Sequence, residues 1–172
     1  MTDKNGPVFL VTGLGEGTGG AAARRFSKGG YRVAMLCRSE HRLNKFEAEL
    51  PGSKGYPCDV ADLEHLAATI DQIKEEMGGP EVVLHNAVGG GWAKFLEADP
   101  NLLERNFRIN TTALFYLGRK VVPDMIKAGK GTILVTGNTS AHRGKPHTPI
   151  FAPTKAAQRI LAQSMARDLG PK

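Results

Sequence analysis

The sequence predicts an α/β fold, a doubly wound parallel sheet with strand order 3-2-1-4-5, and three observations carry that prediction. Short apolar runs alternate with helical periodicity along the whole chain. The first run feeds a glycine-rich turn that opens a helix. The 172 residues, 41% hydrophobic and 23% charged, suffice for one sizeable core, so a single domain spanning residues 1–172 is expected.

Taken in order, Met1 to Pro7 has no apolar signal core and reads as a short tail. Val8 to Val11 is the first buried strand, and Thr12-Gly13-Leu14-Gly15-Glu16-Gly17-Thr18-Gly19 follows it. Such a strand, turn and helix bring bare backbone, unpaired N–H groups and a helix dipole to a pyrophosphate. Gly13 allows the tight turn, Gly17 close approach and Gly19 close helix packing. Gly15 to Gly20 also fits the general G-x-G-x-x-G spacing, so the glycines alone leave the register open. The register starting at Gly13 is preferred because it directly follows the strand.

Val33 to Cys37, Val82 to His85 and Thr132 to Thr136 are the next clear strands, and Lys54 to Cys58 is a weaker one. Between them, Asp62 to Met77 repeats Leu63, Leu66, Ile70, Ile73 and Met77 at helical intervals, with Gly78-Gly79-Pro80 as its stop. Asn101 to Lys127 is a longer helical pattern in which Pro123 predicts a kink or an early end. The last helix runs from about Ala152 to Leu169, stopped by Gly170-Pro171. Right-handed crossovers then place the strands in the stated order, with a crevice over the carboxyl ends of strands one and four.

Composition narrows the function classes. The net charge of +6 comes from scattered basic residues without aromatic interleaving, which argues against nucleic acid; it still favours an anionic ligand. No run reaches a membrane span's length. Cys37 and Cys58 have no metal-type spacing and read as buried reduced thiols, so a cytoplasmic protein without a metal site is expected.

Several ordered motifs together resemble the short-chain dehydrogenase/reductase family, whose fold is of Rossmann type. Thr12, Gly13, Gly17 and Gly19 match its T-G-x-x-x-G-x-G signature, and Gly15 and Thr18 lie in the same loop. Cys58-Asp59-Val60 resembles its adenine-contacting segment. His85-Asn86-Ala87-Val88-Gly89 resembles its N-N-A-G segment, with His85 for the first Asn and Val88 where Gly is usual. Asn110 falls at the family's structural and catalytic Asn. The resemblance implies cofactor contacts from Gly13, Gly15, Gly17, Thr18, Gly19, Arg38, Asp59, Val60, Asn86, Ala87 and Lys155. At the end of strand two, Arg38 suits a 2′-phosphate, which favours NADP over NAD, whereas Glu16 is a carboxylate where NADP users often carry a base.

The catalytic pattern breaks. The family's Tyr-x-x-x-Lys reads Phe151-Ala152-Pro153-Thr154-Lys155 here, and its Ser is Asn138. A benzyl ring has no proton to give; an amide can still donate N–H to an oxyanion. Asn110, Asn138 and Lys155 are therefore the candidate catalytic residues, with water, Lys155, His142 or His147 as proton sources. The resemblance implies an NAD(P)-dependent oxidoreductase acting on a small carbonyl or alcohol through a degenerate site. The alternative is a dinucleotide-binding protein without turnover, acting through a partner interface.

Family members continue into further strands and a lid, whereas this sequence stops at Lys172. The expectation is an incomplete C-terminal end, an exposed edge strand and a partly uncovered last helix. A homo-oligomer is also expected, through Ala113, Leu117 and Val121 on one helix and Ala156, Ile160 and Ser164 on another.

Overall fold

The computed structural model describes residues 6–170. Met1 to Asn5 of the expected tail, and Pro171 of the expected helix stop, lie outside the described residues. The chain runs β1 (Val8–Thr12), α1 (Thr18–Lys28), β2 (Arg32–Cys37), α2 (Glu40–Glu49), β3 (Lys54–Pro57), α3 (Leu63–Met77), β4 (Pro80–His85), α4 (Pro100–Phe107), α5 (Ala113–Ala128), β5 (Thr132–Val135) and α6 (Ala152–Leu169). All strand pairings are parallel and the order is β3-β2-β1-β4-β5, a Rossmann sheet.

The period of two along each strand builds two cores. Val8 and Leu10 of β1, with Ala34 and Leu36 of β2, face α3 and α5. Phe9 and Val11, with Val33 and Met35, face α1 and α2. A strand buried on both faces must be apolar at every position, which is why β1 reads as a continuous run. Each such side chain contributes about 1.5–3 kcal/mol on burial. Asp62 caps α3 by accepting from His65 N–H, and Gly78, at φ 88°, ends it.

Pro123 behaves differently from expectation. Helix α5 continues past it to Ala128, so the early end does not occur. The irregularity lies earlier, at Arg108–Thr112, a π-helical turn between α4 and α5. That wider turn leaves the Ile109 carbonyl to accept from His85 Nε2, at 3.1 Å. β4 also starts at Pro80, inside the stretch read as a helix stop.

The expected oligomer face on α5 is likewise corrected. Ala113, Leu117 and Val121 are fully buried in the chain's own core, because they are the residues that cover the sheet. Phe115, Tyr116 and Ile126 are the exposed large hydrophobic side chains of α5, and Ile160 that of α6. β5 is an edge strand with Leu134 exposed, as expected of an uncovered edge. Beside it, Val122, Met125, Ile133, Val135, Met165 and Leu169 line an apolar groove of about 340 Å³.

Candidate active site

Thr12 and His85 are register partners at the carboxyl ends of β1 and β4, the point where the strand order reverses. Thr12 Oγ1 lies 3.0 Å from His85 Nδ1. Because the Ile109 carbonyl can only accept, Nε2 carries the ring proton and Nδ1 accepts from the threonine hydroxyl. Thr12 Oγ1 also accepts from the N–H groups of Asn86 and Ala87. Burial, reinforced by the charge on Lys155, lowers the His85 pKa to about 4 against opposing backbone hydrogen bonds. The imidazole is therefore a neutral structural clip.

Gly13 follows at φ 69°, and an added Cβ would lie 2.5 Å from Ala87 Cα. Only glycine fits where this turn meets the β4 loop. Gly17 differs, since a Cβ there would meet nothing within 4 Å. It caps α1 without a side-chain hydrogen bond, and the first turn of α1 holds no acidic residue. The leading N–H groups of α1 are thus available to an anion. At Gly19 a Cβ would lie 2.7 Å from Gly13 O, so this glycine packs the helix against the turn.

Two cavities open along this crevice. One, of about 570 Å³, is walled by Gly13, Arg38, Arg42, Asp59, Val60 and Asn86 among others. The second, of about 310 Å³, is lined by the loop from Gly13 to Gly19 on one side and by Asn138, Phe151 and Lys155 on the other. Gly13, Asn86 and Val88 border both. Ala87 is buried and borders the first. Asn86 is clamped: Nδ2 donates to Gly13 O at 2.8 Å, and Oδ1 accepts from Thr136 at 2.9 Å. Together these groups form a long, anion-favouring slot.

Charges at and near the first cavity are arranged unequally, with Arg38, Arg42 and Asp59 on its wall and Glu16 outside its lining. Glu16 accepts from Lys45 at 2.6 Å and from Arg24 at 3.3 Å. The Lys45 bond, with help from Arg24, outweighs desolvation and holds its carboxyl below the usual range. Desolvation pushes Asp59 up, but hydrogen bonds from Arg105 and Ala61 N–H and the nearby Arg38 charge bring it below its ordinary value. Arg105 holds that carboxylate at 2.6 Å. Arg38 is exposed on the cavity wall.

Asn110 is wholly buried and lines neither cavity. Its Oδ1 accepts from Gly89 N–H, and its Nδ2 donates to Gly89 O and Thr154 Oγ1, each within 2.9 Å. Its amide thus ties the β4 loop to α6. Asn138 Oδ1 accepts from Ser140 N–H, leaving its N–H groups for the second cavity. Lys155 is 3% exposed; its Nζ donates to Thr136 O at 2.7 Å and to Gln158 Oε1. Desolvation alone brings its pKa down to about 8. Sequence reasoning misses Gln158, because a glutamine on a helix carries no signal of burial. His142 and His147 are exposed in the loop before α6 and line no part of either cavity.

The sequence matches the short chain dehydrogenase family model over residues 7–172. The chain belongs to the short-chain dehydrogenase family. It is 31% identical to D-erythrulose reductase of Gallus gallus over 164 residues, 94% of this chain and 65% of that relative. The chain spans about two thirds of the length of the curated relatives it matches. An NAD+-bound xylitol dehydrogenase superposes with a TM-score of 0.90 at 29% identity, covering 98% of this chain and 67% of that one. A gluconate 5-dehydrogenase from Burkholderia cenocepacia J2315, in complex with NADP and tartrate, gives a TM-score of 0.86 at 25% identity, covering 96% and 67%. Within the family frame, Gly89 is the enclosed glycine after Asn86-Ala87, since its Cβ would lie 2.5 Å from Asn106 Oδ1, whereas Val88 is exposed. Among the described residues no cluster has metal-ligand character, and no helix is long and apolar enough to cross a membrane. Cys37 and Cys58 are free and buried, and burial raises the Cys58 pKa to about 11.

Proposed function

We propose that the crevice binds a nicotinamide dinucleotide, NADP in preference to NAD, and that the protein is an oxidoreductase for small carbonyl or alcohol substrates. The supporting observation is the pair of cavities that share Gly13, Asn86 and Val88, with Arg38 and Arg42 at one end and Lys155 at the other. The uncapped start of α1 suits the pyrophosphate, and Arg38 suits a 2′-phosphate. The Glu16 carboxylate is engaged by Lys45 and Arg24, so its repulsion of that phosphate is weakened. When bound, the dinucleotide supplies or accepts hydride. The chain's part is to orient it, to offer Asn138 N–H to the substrate oxygen and to hold a proton on Lys155. Cysteine chemistry fits a reducing, cytoplasmic compartment. On α5 and α6, the exposed Phe115, Tyr116, Ile126 and Ile160 are the large apolar groups available for self-association, read by sedimentation.

The test is affinity. NADPH should bind at least about tenfold more tightly than NADH, because a charged hydrogen bond contributes about 1.5–3 kcal/mol, and Arg38→Glu should abolish or reverse the preference. Equal affinities in the parent protein would remove the Arg38 assignment. A second reading, dinucleotide binding without turnover, is favoured by Phe151, which puts a ring without a proton on the cavity wall. Cofactor oxidation across a carbonyl panel separates the two.

A further inference from the structure

Lys155 has the surroundings of a nucleophilic amine. Its Nζ donates to two neutral acceptors, Thr136 O and Gln158 Oε1, and among the described residues no carboxylate pairs with it. Gln158 is 2% exposed, and its Nε2 has no hydrogen-bond partner, so this amide is committed to the lysine rather than to a network of its own. Of the three tetrahedral directions at Nζ besides its own carbon, two point to acceptors and one remains. In the neutral amine that remaining direction is the lone pair. The neighbouring titratable group, His85, is neutral, so it supplies no counter-charge. Burial without a counter-ion favours the neutral form.

The same cavity is bordered by a helix start whose N–H groups suit an anion. Gly15, Gly17, Thr18 and Gly19, at the uncapped start of α1, line it opposite Lys155. Phe151 forms another part of its wall, with the Trp92 ring 6.4 Å beyond. We propose that Lys155 forms a Schiff base with aromatic aldehydes that bear a phosphate, the phosphate resting on the α1 cradle and Gln158 with Thr136 positioning the amine. Nζ adds its lone pair to the carbonyl carbon, and the C=O π pair moves to oxygen, which takes a proton from the nitrogen through water. The carbinolamine then loses its hydroxyl as water, the C=N bond forms and the second N–H proton is released. One aldehyde and one amine give one imine and one water, without an oxidant or reductant. The inference shares the anion cradle with the dinucleotide reading but uses no hydride step.

Pyridoxal 5′-phosphate is the probe. The full chain is incubated with it, reduced with borohydride and mapped by peptide mass spectrometry. Lys155 should carry the reduced adduct at least about tenfold above any other lysine, and pyridoxal without the phosphate should label it about tenfold less, the loss of one charged hydrogen bond or more. Lys155→Arg should remove that adduct, Gln158→Leu should slow its formation, and Gln158→Glu, which gives the amine a counter-ion and holds it protonated, should also slow it at neutral pH and shift its rise to higher pH. Should Lys155→Arg fail to fold, the map of the unmodified protein decides alone. Label confined to surface lysines, or equal labelling by the two aldehydes, would overturn the proposal. NADPH should protect Lys155; labelling of Lys155 that NADPH leaves unchanged refutes the dinucleotide reading and leaves the amine chemistry standing.

Discussion

The two halves of the crevice are built to different standards. At the β1–α1 end the polar groups are matched: Glu16 has Lys45 and Arg24, Asp59 has Arg105, and Gly13 meets Ala87 with no room to spare. At the β4–α6 end a lysine is buried without a counter-ion, Asn106 Oδ1 and Gln158 Nε2 are buried without partners, and Trp92, Phe95 and Leu96 stand 75 to 95% exposed. A buried unpaired polar group costs about 1–3 kcal/mol, so such groups persist where something other than stability selects them. Under the proposed function, the first half holds the dinucleotide and the second carries the reacting groups. Changes at the first should therefore act on stability or affinity, and changes at the second on rate and pH response.

The largest contrast should come from restoring the phenol. Phe151→Tyr with Asn138→Ser places an acid one helical turn from Lys155 and should raise carbonyl reduction by about 10² to 10⁴, the usual range for a general acid, with little change in dinucleotide affinity. Lys155→Ala should cancel the gain. Rapid turnover by the unmodified protein, insensitive to Lys155→Ala, would mean that the proton comes from elsewhere and that the two halves do not divide the work as described.

At the other end the expected loss is in stability. Gly13→Val combines a left-handed backbone with a Cβ 2.5 Å from Ala87 Cα, so urea unfolding should show a loss of about 2–5 kcal/mol. Gly17→Ala meets nothing, and should cost only about 1 kcal/mol while weakening dinucleotide binding. Equal stability losses at both positions would show that the open cradle is as tightly packed as the turn.

How much of this is legible in the sequence depends on the range of the interaction involved. Strand order and the glycine turn follow from period and local chemistry, so β1 through β5 fall within a few residues of their expected bounds. The π turn at Arg108–Thr112 is hidden because nothing in an Arg-Ile-Asn-Thr-Thr run differs from an ordinary helix until His85 claims the Ile109 carbonyl. Pro123 predicts a break that does not occur, since a proline removes only one helical hydrogen bond when packing on both sides holds the helix, and Val121 and Met125 are both buried. The α5 half of the expected oligomer face is misplaced because small and apolar residues suit a sheet as well as a partner, whereas Ile160 and Ser164 of the α6 half are exposed. Gln158 and the pairing of Glu16 depend on contacts between separate elements that no single segment announces.

The smallest effect separates the halves by pH. His85 titrates at about 4 in the fold against 6.5 ordinarily, burial being the main cause. The unfolded chain thus binds the proton first, so stability is complete above about pH 6.5 and declines as pH falls towards 4. Each pH unit between the folded and unfolded titrations contributes at most about 1.4 kcal/mol, so a loss of about 1–3 kcal/mol is expected over that window. Lys155 has the same sign at the alkaline side: its folded value of about 8 lies below the ordinary 10.5, so stability rises as pH climbs from 8 towards 10.5. Urea midpoints at pH 7 and pH 4.5 should therefore fall further for the parent than for His85→Asn, which cannot charge. Identical acid sensitivity in the two proteins would place the loss on other groups, and the neutral clip between β1 and β4 would no longer distinguish this end of the crevice.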